Sequence, residues 1–131
     1  MEYSKHYVPL ESDPLVFTNL MRDLGFDGPF TFVDIWSIEA DQLPAVRLET
    51  QQPINALILI LPDCPAYTEK SVENTHVQDG VVWLRQTINN ACGLYAILHC
   101  VCNMIAPQFI SKSPLEELII INMNRERLIP G

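Results

Sequence analysis

Apolar side chains recur at Val16, Phe17, Leu20, Met21 and Leu24, the three-and-four spacing that lines one face of a helix. Asp13 stands where an N-cap belongs, Pro14 suits the first helical position, and Gly25 follows where a C-terminal cap is needed. After Gly28-Pro29, the stretch Phe30 to Trp36 is rich in aromatic and β-branched residues and predicts a strand. A short helix is read around Glu39 to Val46. Between Pro53 and Pro62, the run Ile54 to Leu61 is almost wholly apolar, which predicts a strand covered on both faces at the centre of a sheet. From Asp63 to Gly80 the composition turns to Pro, Thr, Glu, Ser, Asn and Asp, as in a mobile surface loop, with His76 inside it. Val81 to Leu84 then predicts another strand, leading through Gln86 and a turn at 87–90 into a helix from Ala91 to Ile105. Ser113-Pro114-Leu115-Glu116 opens a last helix as a capping box with proline at its first position. Strands interleaved with helices imply an α/β or α+β layered sheet.

With 131 residues and 48 % apolar content, the chain has material for a single domain, 1–131, around one core. Sixteen acidic side chains against eight basic ones give a net charge of −8, and the three lysines, Lys5, Lys70 and Lys112, are scattered. That balance excludes nucleic acid as a partner and favours a basic one. Met1 to Leu10 alternates polar and aromatic residues without the apolar core of a secretory signal, so the mature chain is expected to start here. The longest apolar run, Ala91 to Ala106, is interrupted by His99 and Asn103 and is shorter than the roughly 20 residues that span a bilayer, so no membrane segment is expected. Cys64, Cys92, Cys100 and Cys102 then fit reduced thiols in the cytoplasm or nucleus rather than a disulfide framework. His99, Cys100 and Cys102 are metal-ligand types close together, but no second pair completes a tetrahedral set, and neither metal nor other cofactor is expected.

Cys92 falls at the predicted start of a helix, where unpaired N–H groups and the positive end of the helix dipole favour a nucleophilic thiolate. Gly93 removes a side chain where a substrate backbone would approach. Six residues before Cys92, Gln86 ends the predicted strand and can turn its amide toward the same point. It would supply one oxyanion donor while the Cys92 N–H supplies another.

The string Gln86-Thr87-Ile88-Asn89-Asn90-Ala91-Cys92-Gly93 resembles the nucleophile motif Q-T-I-x-N-A-C-G of the ubiquitin carboxyl-terminal hydrolase family, with every specified position filled. Val8 to Pro14 with Val16-Phe17 after it, and Phe32-Val33-Asp34-Ile35 before the apolar run ending at Leu61-Pro62, resemble the family too. The resemblance spans about Tyr7 to Leu118 and implies a papain-like α–β–α layered fold with a central β-sheet, of the α+β class. It also implies that the substrate is the C-terminal tail of ubiquitin, with Cys92 as nucleophile and Gln86 lining the oxyanion hole. Pro9, Leu10 and Glu11, together with Asn90 and Gly93, become candidate substrate-binding residues. A net acidic surface suits the basic tail of ubiquitin.

The same resemblance implies a second half carrying a general-base histidine, its orienting aspartate and a crossover loop, and no position here matches either partner. The fold is therefore expected to be incomplete at its C-terminus, and a complementary C-terminal half becomes a candidate partner. His99 shares a helix face with Cys92 but lies about 10.5 Å further along, beyond the reach of a base, and reads as a core or supporting histidine. His6 and His76 lack a nameable orienter, and Asp34 and Asp79 read as strand-end or turn residues. Two functions follow: thiol-dependent hydrolysis at the C-terminal glycine of ubiquitin, or a ubiquitin-binding fragment or decoy without turnover. The uncovered run Ile54 to Leu61 has high β-propensity and no charge, so the isolated chain is expected to be poorly soluble or marginally folded.

Overall fold

The computed structural model describes residues 2–39, 41, 53–62, 65, 80–104, 114 and 116–118. Among these residues four elements follow in chain order: β1 (Lys5–His6), α1 (Pro14–Asp23), β2 (Ile88–Asn89) and α2 (Cys92–Asn103). The architecture is thus a mixture of helix and a small sheet.

Helix α1 forms as its sequence predicts. The Asp13 carboxylate accepts from the backbone N–H of Leu15 at 2.8 Å and of Val16 at 3.2 Å, satisfying two donors that the first turn leaves unpaired. At the other end Gly25 adopts φ 103°, a left-handed conformation open to glycine. Its N–H reaches the Arg22 carbonyl and the Phe26 N–H reaches the Met21 carbonyl, a Schellman closure. The face buried by this helix is Phe17, Thr18 and Met21. Thr18 is a buried polar group fully used: its hydroxyl donates to the Pro14 carbonyl at 2.7 Å and accepts from the Phe32 N–H at 2.9 Å.

The core is Phe17, Met21 and Phe26 from the first part of the chain against Ile97 and Val101 of α2. Leu10, Phe30, Phe32 and Ile58 pack around it, with Phe17 and Phe32 edge to face at 5.6 Å between ring centres. Burying side chains of this size stabilises by about 1.5–3 kcal/mol each before conformational entropy is charged.

Three predicted strands are not formed. Phe30 to Trp36 forms no strand among the described residues; Phe30 and Phe32 pack on the aromatic core, while Trp36 stays 91 % exposed. Ile54 to Leu61 was expected at the centre of a sheet, yet residues 53–62 have no strand partner among the described residues, and only Ile58 packs on the core. A strand buried on both faces needs neighbours on both edges and cover on both sides. Among the described residues helix α2 lies alongside, and Leu57, Leu59, Ile60 and Leu61 are exposed. Val81 to Leu84 is extended too, but its backbone pairs with side chains of α2 rather than with a strand. The sheet that does form was not foreseen: β1 runs parallel to β2, Lys5 opposite Ile88 and His6 opposite Asn89.

Helix α2 starts and ends within two residues of its predicted bounds, with Ala91 as N-cap and Met104 as C-cap. Pro114 and residues 116–118 are helical, as the capping-box pattern anticipates; Ser113 itself lies outside the described residues. Outside them too lie most of the helix read around Glu39 to Val46, the loop from Asp63 with His76 and Asp79, and Cys64. No helix among the described residues is long and apolar enough to cross a membrane.

Candidate active site

Strand β2 ends at Asn89, and Asn90 then takes φ 60°, a left-handed turn that asparagine tolerates better than most residues. That turn delivers Ala91 to the N-cap of α2 and puts Cys92 on its first residue. Ala91 offers no side-chain hydrogen bond to the helix start, so the first-turn N–H groups are not claimed by a cap. Cys92 is a free thiol and is exposed. The residue thus stands at the helix mouth, open to an approaching group.

The amide of Gln86 lies on the approach to this turn. Its Nε2 donates to the Ile88 carbonyl at 2.9 Å, which folds the side chain back over the loop that carries Cys92. A primary amide has two N–H donors, so this bond leaves one for an incoming carbonyl oxygen.

The N-terminal segment is drawn to the same place. Pairing of β1 with β2 continues as the Tyr7 N–H donates to the Asn89 carbonyl at 2.9 Å, and the Asn89 Nδ2 lies 3.0 Å from His6 Nδ1. The chain then passes Pro9 and Leu10 beside the first turn of α2. A Cβ added at Gly93 would stand 3.1 Å from both Cβ and Cδ2 of Leu10. Gly93 thus makes room for Leu10 of the same chain, a packing reason beside the substrate approach expected of it. Of the residues singled out from sequence, Leu10, Asn90, Cys92 and Gly93 are brought together at this end of α2, with Pro9 and Glu11 exposed alongside Leu10.

The other histidine among the described residues is engaged along α2. His99 is half-buried on α2, its ring stacked on Trp83 at 4.6 Å between centres and 13° between planes. Its Nε2 lies 3.0 Å from the Leu84 nitrogen and 3.1 Å from the Leu84 oxygen. One ring nitrogen serves one of these at a time: unprotonated it accepts from the N–H, protonated it donates to the carbonyl. Either way it is engaged by backbone, as a supporting histidine should be. Four residues on, Asn103 does the same for Val82, accepting its N–H on Oδ1 at 2.8 Å and donating Nδ2 to its carbonyl at 3.0 Å. Tyr95, four residues before His99, sets its hydroxyl 3.2 Å from both the N–H and the hydroxyl of Thr87. These three polar residues were not read from sequence as a set. Their spacing of four on an apolar helix was the available signal.

Burial raises the thiol pKa of Cys100, and that of Cys102 to about 11, so neither is a ready nucleophile at neutral pH. Among the described residues no group of three His, Cys, Asp or Glu side chains converges as metal ligands would.

A sequence profile described as ubiquitin carboxyl-terminal hydrolase, family 1, matches residues 7–127, nine residues further than the resemblance read from the motifs. The yeast Saccharomyces cerevisiae protein named ubiquitin carboxyl-terminal hydrolase YUH1 is 36 % identical over 99 residues, covering 73 % of this chain and 39 % of that protein. A ubiquitin carboxyl-terminal hydrolase of Aplysia californica is 31 % identical over 105 residues, with 79 % and 47 % covered. Isozyme L1 of Homo sapiens is 30 % identical over 101 residues, with 72 % and 44 % covered. The chain spans about half or less of the length of these relatives.

Proposed function

The chain belongs to the ubiquitin carboxyl-terminal hydrolases of family 1, and on that premise we propose that it performs thiol-dependent chemistry at the C-terminal glycine of ubiquitin. The Cys92 thiolate attacks the carbonyl carbon of that glycine, and the oxyanion that forms takes hydrogen bonds from the Gln86 amide and the Cys92 N–H. Collapse breaks the bond to the leaving group, which departs with a proton, and leaves a thioester. Water then releases the ubiquitin carboxylate and the thiol. Pro9, Leu10, Glu11, Asn90 and Gly93 contact the incoming tail. An acidic chain in the cytoplasm or nucleus, where thiols stay reduced, suits both the basic tail and the exposed sulfur.

The observation that carries this reading is the exposed Cys92 sulfur on the first residue of a helix whose start has no side-chain cap. A fluorogenic reporter joined to the C-terminus of ubiquitin tests it: the chain releases the fluorophore and Cys92→Ala does not. Equal release from both proteins removes the catalytic role.

One observation favours a second reading, a ubiquitin-binding chain that does not turn over. His6 is tied to Asn89 and His99 to Leu84, so neither described histidine is placed as the base for Cys92. On this reading turnover requires a base from a complementary C-terminal half. Titration with ubiquitin followed by NMR separates the readings, because a binding chain gives saturable shifts without any release of fluorophore.

A further inference from the structure

Tyr95, His99 and Asn103 fall at steps of four along α2, and Cys92 is three residues before the first of them, so all four share one stripe of the helix. Against the stripe runs the segment 82–87 in the opposite direction: Val82 on Asn103, Leu84 on His99, Thr87 on Tyr95. From Asn103 to His99 four residues of helix rise about 6 Å against about 6.6 Å for the two residues from Val82 to Leu84, and from His99 to Tyr95 the same helical step is met by three residues, Leu84 to Thr87, as the chain turns toward β2. Asn103 presents an acceptor and a donor to the N–H and carbonyl of one residue, as a neighbouring strand would. Its Nδ2 also donates to the His99 carbonyl at 2.8 Å, which fixes its own rotamer on the helix. His99 is clamped from the other side by Trp83.

Gln86 is bracketed by this ladder. Its neighbours at 84 and 87 are both anchored on the helix that carries Cys92, so its distance from the sulfur is set by one rigid body rather than by a free loop. We infer that Tyr95, His99 and Asn103 are positioning residues that fix where Gln86 stands relative to the helix that carries Cys92. The inference rests on the reading of Gln86 as oxyanion donor. A donor displaced by about 1 Å forfeits much of its stabilisation of the transition state, which is why such a ladder matters for rate rather than for affinity.

The test uses the full chain with Tyr95→Phe, which removes only a hydroxyl, and Asn103→Leu, which removes a rung. The side-chain amide resonances of Gln86 are followed by NMR without ubiquitin, and kcat and KM are measured on the ubiquitin reporter in wild-type and Gln86→Ala backgrounds. The expected result is a shifted or broadened Gln86 amide signal in each variant. Alongside it, kcat falls about tenfold at nearly constant KM, and this loss shrinks to less than about twofold once Gln86 is alanine. Should Asn103→Leu lose its helical circular dichroism, Tyr95→Phe decides alone. Unmoved Gln86 signals overturn the inference, as do losses that simply add in the two backgrounds, since a merely structural role gives additivity. A wild-type chain that releases no fluorophore while its Gln86 signals still move with the ladder removes the proposed reaction and upholds the positioning.

Discussion

Three thiols on one helix differ in what surrounds them, and that difference fixes their chemistry. Cys92 is exposed at the helix mouth, whereas Cys100 and Cys102 are half-buried among core side chains that oppose charge. Limiting iodoacetamide at pH 7.5 therefore modifies Cys92 well ahead of the other two, and peptide mapping by mass spectrometry reads the order. Equal labelling of the three would contradict the placement. The buried pair has a second consequence. A thiol whose folded pKa stands above its unfolded 9.0 holds its proton longer in the fold, so the unfolded state binds fewer protons and alkali favours unfolding. Stability is intact below pH 9 and declines between 9 and about 11 for Cys102, and Cys102→Ala should flatten that part of the pH profile of the denaturation midpoint. At Gly93 the opposing terms are a helix-propensity gain of about 1 kcal/mol for alanine and a clash with Leu10. The Leu10 Cδ2 can rotate away, but its Cβ cannot move without the backbone. Overpacking of this kind costs about 1–3 kcal/mol, so Gly93→Ala is net destabilising by about 1 kcal/mol in urea titrations.

Helix α1 shows how far local signals reach. Asp13, Pro14 and Gly25 were legible because capping is a contract between neighbours: a carboxylate two and three residues from the N–H groups it accepts, and a glycine where φ turns positive. Asp13→Ala removes that cap and lowers stability by about 1 kcal/mol, seen as a reduced urea midpoint at unchanged slope. Helix α2 was legible from its apolar run rather than from a cap, since Ala91 at its start makes no side-chain hydrogen bond. The strands were not. Apolar and β-branched content marks Ile54 to Leu61 as suited to a covered sheet, but whether a ladder forms depends on which segment lies alongside, and propensity does not contain that. Similarly, nothing in Lys5-His6 or Ile88-Asn89 announces that these two pairs, 83 residues apart, meet. The strand expected over Val81 to Leu84 is not formed, because the backbone there pairs with side chains of α2 instead of with a strand.

At the scale of the whole molecule, the two helices and the aromatic cluster bury one side of the chain and leave the apolar run 54–61 open beside a groove of about 380 Å³ against Ala96, Cys100 and Met104. An uncovered apolar edge associates with its like. Sedimentation of the purified chain should show mass rising with concentration. Leu57→Lys with Leu59→Lys, both exposed, should suppress the rise while leaving helical circular dichroism unchanged. The run faces the later turns of α2, from Ala96 to Met104, while Cys92 on the first residue of that helix is exposed and open to attack on a substrate. Ubiquitin bearing an electrophile in place of its C-terminal carboxylate tests that claim most directly, because capture needs the nucleophile and the tail to meet but no general base for hydrolysis. The account predicts a single adduct mapped to Cys92, absent in Cys92→Ala and slowed about a hundredfold in Gln86→Ala. Capture at Cys100 or Cys102, or an adduct that persists when Cys92 is alanine, would contradict it.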